Sequence, residues 1–247
     1  MIKTLKKYIR GYLPSSPVKD RDVVEAYDLW AENYDSQPGN LMLDLDESVF
    51  SKMLETINLR NLNIADIGCG TGRHWAKIFK KKPAGLTGFD VSPGMLEKLK
   101  TKYPAAKINI ITNNRFPNIP DHFYDVIIST LTVAHIRDID EALSAWSRIL
   151  RGNGDIIITD FHPDVLSLGG KRTFKHKKGY IAVQNYVHPT GIIKSMLSEN
   201  GFDLISEDER RIDESVIHYY LEQNAIHVYE KFKGFPIIYG MHFRRRQ

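Results

Sequence analysis

The chain has one cysteine, Cys69, among 247 residues, so no internal disulfide can hold it together and a packed core must do so. A lone thiol suits a reducing, cytoplasmic compartment. No apolar run approaches the length needed to cross a bilayer, and the first residues lack the long apolar core and cleavage site of a signal peptide. Internal repeats and low-complexity tracts are also missing. Among the nine histidines no H-x-x-x-H or H-E-x-x-H spacing occurs, so no metal site is expected. Charge of one sign is scarce as well: the formal net charge is +4. Much of it sits at the ends, in Lys3, Lys6, Lys7 and Arg10 and in Arg244, Arg245 and Arg246. Those are clusters, not a basic stripe interleaved with stacking aromatics, which argues against a nucleic-acid partner. Within residues 1–13, Ile2, Leu5 and Ile9 fall near helical spacing with lysines between them, a pattern suited to peripheral membrane contact or to closing over a site.

What remains is ordinary globular composition, 42% hydrophobic and 26% charged, consistent with one α/β domain carrying insertions. One stretch stands out. Ile64-Ala65-Asp66-Ile67-Gly68-Cys69-Gly70-Thr71-Gly72 is an apolar run that ends in an acid and then alternating glycines, a strand running into a turn that a ligand can approach closely. A dinucleotide fingerprint would need its third glycine where Arg73 stands, and a P-loop would need Gly-Lys-Ser/Thr where Gly72-Arg73-His74 stands. Asp66 also repels a polyanion, yet suits the ammonium of an amino acid. The next apolar run, Gly85 to Phe89, ends at Asp90, placed to accept hydrogen bonds from both hydroxyls of a ribose. An adenosyl group joined to an amino acid satisfies both acids.

Pro14, Pro17 and the serines between them read as a linker, followed by helical spacing over 21–35 and 41–58. Strands are predicted at about 63–67, 85–90, 107–112, 124–130 and 154–160, alternating with helices near 72–82, 93–102 and 139–151. That alternation means a parallel sheet with helices on both faces. Ligands then sit outside the carboxyl ends of the strands, so Gly68, Asp90, Asn113, Ser129 and Asp160 should share one edge. A hairpin is predicted around Lys178-Gly179, from Arg172–His176 and Tyr180–Val187. It is followed by a helix at 189–200, a strand from Phe202 and a last strand at 235–243.

Ala65–Gly72 and Phe89-Asp90-Val91-Ser92-Pro93-Gly94-Met95-Leu96, followed by Phe123–Ser129 and Ser147–Gly154, resemble the ordered blocks of class I S-adenosylmethionine-dependent methyltransferases. Ala26-Tyr27-Asp28-Leu29-Trp30-Ala31-Glu32-Asn33-Tyr34-Asp35 is similar to the amino-terminal helix of the type 11, ubiquinone and menaquinone methyltransferase subgroup. The resemblance covers roughly residues 22–160. It implies a Rossmann-like, doubly wound, mostly parallel seven-stranded sheet with an antiparallel final strand. It also implies an N-terminal helical extension over residues 1–60 that acts as a lid, and a methyltransferase domain over 61–247 with a hairpin insertion at about 161–188.

The resemblance also assigns roles. Gly68, Cys69, Gly70 and Gly72 form the backbone platform for S-adenosylmethionine and its product S-adenosylhomocysteine. Asp66 faces the methionine ammonium, Asp90 the ribose, and Val91 and Met95 the adenine. Asn113 stands where the family commonly has an acid, and its amide oxygen could accept the same bond from adenine. Asn114, Arg115 and Ser129 join the cofactor set, while Tyr27 and Tyr34 either reach the cofactor or serve helix packing. The implied reaction is in-line methyl transfer, which needs a base only if the acceptor arrives protonated. His162, His188 and His135 are candidates in that order, each with a structural alternative. Phe174, Tyr180, Tyr186, Tyr219 and Tyr220 suggest a small apolar or aromatic acceptor. Two other readings stay open: an RNA or protein methyltransferase using the basic ends, and a non-catalytic S-adenosylmethionine-binding regulatory protein.

Overall fold

A computed structural model describes residues 18–37, 39–177 and 179–247. The predicted linker prolines, the basic amino-terminal segment and Lys178 lie outside the described residues. Strands β1 (Val18–Arg21), β2 (Asn63–Ile67), β3 (Gly85–Asp90), β4 (Lys107–Ile110), β5 (Tyr124–Thr130), β6 (Leu150–Phe161), β7 (Thr173–His176), β8 (Gly179–Val183), β9 (Phe202–Arg211) and β10 (Pro236–Arg245) build two sheets. The larger, seven-stranded sheet has the order β4-β3-β2-β5-β6-β10-β9. Its strands β2 to β6 pair in parallel, and β10 runs antiparallel to both of its neighbours. This is the Rossmann-like, doubly wound arrangement implied by the sequence.

Helices α1 (Val23–Ala31), α2 (Leu41–Glu55), α3 (Trp75–Lys80) and α4 (Pro93–Lys102) contribute to the core on one face. Helices α5 (Ile139–Ile149) and α7 (Thr190–Glu199) contribute to the core on the other. Successive strand side chains point to opposite faces. Val126 and Ile128 join the first core and Ile127 the second, and in β6 Ile157 joins the first and Ile156 and Ile158 the second. A sheet buried on both sides explains why these strands read as continuous apolar runs without alternation.

Helix starts follow from short polar caps. Asp22 accepts the Glu25 N–H, Asn40 accepts that of Leu43, and Ser92, just before Pro93, accepts that of Met95. The predicted helix over 72–82 is shorter: Gly72 has φ +70, Lys82 has φ +56, and α3 occupies the residues between them. The predicted hairpin forms, but its second strand stops at Val183. There the backbone is diverted: Gln184 N–H bonds Arg21, and Tyr186 N–H bonds Ala134. Strand β1, which the sequence reading missed, lies parallel to β8 in a separate three-stranded sheet. Also unforeseen were α6 (Pro163–Ser167), α8 (Ile217–Glu222) and α9 (Ile226–Phe232).

Helix α2 crosses directly over β10, and the approach depends on Gly240. A Cβ there would meet Val49 Cγ1 at 2.4 Å and Met53 Cε at 2.7 Å. Gly240→Ala should therefore force α2 outward and cost about 1–3 kcal/mol of stability. Denaturant titration checks this, and an unchanged midpoint would mean that α2 yields without strain.

Candidate active site

The strand order reverses between β2 and β5, and a cavity of about 170 Å³ opens at the carboxyl ends of these two strands. Its floor is Gly68, Gly70, Asp90 and Val91, and Thr130, Leu131 and Thr132 close one side. Val23, Tyr27 and Tyr34 from the amino-terminal region also line it, together with Met95, Asn114 and His135. Gly68 has φ +74, and a Cβ there would collide with the Thr132 side chain. Gly70 has φ +51, and a Cβ there would point into open space, which leaves the backbone free for a ligand. Asp90 accepts the Gly70 N–H at 2.7 Å through one oxygen and the Ser92 N–H at 2.9 Å through the other. Val91 N–H is a further backbone donor to this carboxylate, which still has acceptor capacity facing the cavity. Burial pushes the Asp90 carboxyl up, and the backbone donors oppose that shift.

Other residues singled out from the sequence do not line this cavity. The Asp66 carboxylate accepts the Trp75 indole N–H at 2.7 Å, and burial pushes its pKa up to about 6. It faces the core under the turn, with no direct path to a ligand ammonium. Cys69 is buried, and burial raises its thiol well above the ordinary range. Gly72 makes room for Leu99 and Trp75. Asn113 turns its oxygen back to the Arg115 N–H and borders a neighbouring groove, and the Arg115 guanidinium pairs with Glu141. Ser129 points away from the cavity because strand alternation puts Thr130 there, and its buried hydroxyl has no partner among the described residues.

The histidine ranking also changes. His162 caps α6, its Nδ1 accepting the Asp164 N–H at 3.2 Å, while Nε2 lies 3.4 Å from Glu209. Preceding Pro163 in the first turn, it takes the cap position and turns away from the cavity. His188 Nε2 donates to the Ile136 carbonyl at 2.7 Å, and the ring lies outside the cavity. His135, the third choice, is the histidine that lines it. Its Nδ1 sits 2.8 Å from the Gln184 carbonyl and must donate there, so Nε2 accepts from the Tyr27 hydroxyl at 3.0 Å. Burial and the nearby Arg172 push the imidazole pKa down to about 4, and burial raises that of Tyr27.

Three carboxylates hold the site together without having been assigned roles in the sequence reading. Asp28 of α1 accepts from Ser92 Oγ at 2.6 Å and from Gly94 N–H at 2.9 Å. Asp35 accepts from Thr71 Oγ1 at 2.7 Å. Asp46 of α2 is fully buried and bonded to Arg73, to His74 and to Thr159 of β6. Burial alone would raise it, but Arg73 and His74 hold it well below the ordinary carboxylate range. Asp28 and Asp35 lie within the Ala26–Asp35 block, so a signal existed for them. Asp46 stood in an amphipathic helix as one acid among several.

A second cavity of about 720 Å³ lies beyond Trp30. Phe174, Tyr180 and Tyr220 line it, whereas Tyr186 and Tyr219 do not. The Tyr219 hydroxyl donates to Asp44 and that of Tyr186 accepts from Arg137. Asp160, at the end of β6, spends its carboxylate on the Ala134 and Phe161 N–H groups, and burial pushes its pKa up to about 7.

Residues 65–158 match the family model described as Methyltransferase domain. An uncharacterised methyltransferase of Emericella nidulans is 25% identical over 241 residues, covering 79% of this chain and 83% of that protein. The ubiquinone/menaquinone biosynthesis C-methyltransferase UbiE of Campylobacter jejuni is 23% identical, covering 72% and 75%. A solved S-adenosylmethionine-dependent methyltransferase from Mesorhizobium loti shares the fold, with a TM-score of 0.60 at 16% identity over 79% of this chain and 97% of that one. The glycine turn, the sheet order and these matches define a class I S-adenosylmethionine-dependent methyltransferase. The family model that matches is that of the type 11 group, and it spans residues 65–158 of the chain.

Asp46→Asn removes the buried anion shared by Arg73 and His74, leaving them only the half-exposed Glu47, and should cost about 3 kcal/mol; urea unfolding measures this, and a loss within error would remove Asp46 as the anchor. For His135, the unfolded imidazole has the higher pKa, so the unfolded chain takes up a proton first as pH falls. Its contribution is complete above about 6.5 and is lost as pH drops toward about 4. Melting wild type and His135→Asn at pH 7.5 and 5 should show the wild-type advantage shrinking at pH 5. Equal differences at both values would contradict a buried neutral ring.

Proposed function

We propose that this protein transfers the methyl group of S-adenosylmethionine to a small-molecule acceptor and releases S-adenosylhomocysteine, with the smaller cavity holding the cofactor and the larger one the acceptor. The observation that carries this reading is one wall on which the Asp90 carboxylate and the open backbone at Gly70 face the same cavity. Asp90 would hold the ribose hydroxyls, Val91 and Met95 would flank the adenine, and Asn114 would serve its edge in place of Asn113. Gly68 and Tyr34 would border the methionine end. Asp66 then acts on that end through its field and by fixing the turn, without contact.

When bound, S-adenosylmethionine supplies a methyl group on a sulfonium that is already a good leaving group. The chain's work is therefore alignment and exclusion of water. Helix α1 is placed for both. Asp28 and Asp35 tie the segment bearing it to the turns after β3 and β2, and Tyr27 and Tyr34 cover the cavity. These ties support reading the described part of the amino-terminal extension as a lid.

A small-molecule acceptor is favoured over RNA because the carboxy-terminal arginines are spent on the fold. Arg244 pairs with Asp155, Arg245 donates to the Ser147 and Leu150 carbonyls, and Arg246 pairs with Asp203. Among the described residues no helix is long and apolar enough to cross a membrane. A single cysteine, with no disulfide framework possible within the chain, accords with a cytoplasmic setting.

Calorimetric titration with S-adenosylmethionine and S-adenosylhomocysteine tests the cofactor site. Micromolar binding is expected, weakened roughly 10–100-fold in Asp90→Ala because hydrogen bonds to a charged group are lost. Absence of binding by the folded wild-type protein would overturn the reading.

A further inference from the structure

Arg172 is 5% exposed and lines the larger cavity. Its guanidinium lies over the rings of Tyr27, Trp30 and Tyr34, with centroid distances of 5.7, 5.1 and 6.0 Å. It donates to the Tyr34 hydroxyl at 3.1 Å and, at 3.5 Å, to the Leu131 carbonyl, and both of those residues border the smaller cavity. Arg172 therefore forms part of the wall between the two cavities. No described carboxylate reaches it at ion-pair distance, and its buried Nε has no hydrogen-bond partner. Asp160 is the acid whose charge it feels, but the oxygens of Asp160 are taken by backbone N–H groups. A buried cation without a paired anion is costly, and aromatic faces offset only part of that cost. The arrangement lacks an anion.

The rest of the larger cavity indicates what kind of anion fits. Phe161, Val165, Ile212, Val228, Phe232 and Ile237 give it apolar walls. Lys175 and Lys177, both exposed, line it too, and among the described residues no carboxylate pairs with either. A molecule with an apolar body and a carboxylate head suits this lining.

The catalytic inventory agrees. Around the smaller cavity both His135 nitrogens are engaged, and Tyr27 gives its proton to His135. His162 and His188 are turned elsewhere. With Asp90 assigned to the ribose, no imidazole remains free there to take a proton, which suits an acceptor that arrives already deprotonated.

We propose that the methyl acceptor is the carboxylate of an apolar organic acid, bound by Arg172 between the two cavities. This deepens the function proposed above and rests on it. One carboxylate oxygen forms a bond to the methyl carbon as the carbon–sulfur bond breaks, with its electron pair staying on sulfur. The sulfonium becomes a neutral thioether, the carboxylate becomes a neutral methyl ester, and no proton moves. The ester no longer carries the charge that Arg172 binds, which favours its release.

The test uses the full chain saturated with S-adenosylhomocysteine, titrated by calorimetry with decanoate and cinnamate and with their neutral amides. The acids should bind roughly 10–100-fold more tightly than the amides in the wild type, as expected for a hydrogen-bonded charge. Arg172→Gln should erase that preference, and Arg172→Lys should keep part of it, with S-adenosylhomocysteine affinity unchanged in both variants. The wild-type comparison of acid with amide does not depend on how well the variants fold. Equal binding of acids and amides would overturn the proposal. So would a loss of S-adenosylhomocysteine affinity in Arg172→Gln with acid binding intact, which would assign Arg172 to the cofactor's own carboxylate. If wild-type protein binds no S-adenosylhomocysteine at all, the cofactor reading itself has failed, which is a separate result.

Discussion

One buried carboxylate, Asp46, sets the geometry on which the site depends. It arrives on α2, a helix that precedes the sheet in sequence, and it bonds Arg73 and His74 just after the glycine turn and Thr159 within β6. Three elements distant in sequence thus share one anion. A buried ion pair is weak evidence for net stability, because desolvation offsets most of the attraction, but it penalises any arrangement that leaves one partner alone. Here that penalty fixes the position of the turn. The backbone of Gly68 and Gly70 can then stand open to a cavity without collapsing into it.

The other buried acids divide the remaining work by what they touch. Asp28 and Asp35 accept from the turns after β3 and β2 and so bring the aromatic amino-terminal segment over the cavity. Asp66 and Asp160 are taken by an indole and by backbone N–H groups, in surroundings apolar enough to raise their pKa values to about 6 and about 7. Asp160 is the acid nearest in effect to Arg172, but its oxygens are taken by backbone N–H groups, and the aromatic rings around Arg172 screen it from water. Asp90 combines both roles: backbone donors at Gly70, Val91 and Ser92 position it, and it still has acceptor capacity facing the cavity. An enzyme whose chemistry consists of aligning a methyl group with its acceptor gains most from such rigidity.

Much of this was legible in the amino-acid sequence, for local reasons. Strands β2, β3 and β5 occur where apolar runs end in an acid or a turn, and α4 begins at Ser92-Pro93 because the cap and the fixed proline φ leave little choice. The glycine spacing excluded the dinucleotide and P-loop alternatives, and Asp90 at a strand tip lines the cavity. The histidine that lines the cavity was the third of the three candidates, because nearness to a strand tip in sequence says nothing about rotamer. His162 is spent as a helix cap, and His135 enters the cavity only because Gln184, far along the chain, orients its ring. Ser129 lost its place to Thr130 by the alternation of a single strand.

By itself, the sequence determined the order of the main strands and helices, the open glycine turn and the acid at the tip of β3. Each depends on residues near one another in the chain, through backbone torsions, capping and hydrophobic period. Tertiary structure alone decided that Asp46 is the anchor, that β1 joins the inserted hairpin, and that Arg172 lies buried between two cavities among Tyr27, Trp30 and Tyr34. Those outcomes depend on which side chains share a low-dielectric interior, where unpaired charge is costly and partners come from any part of the chain.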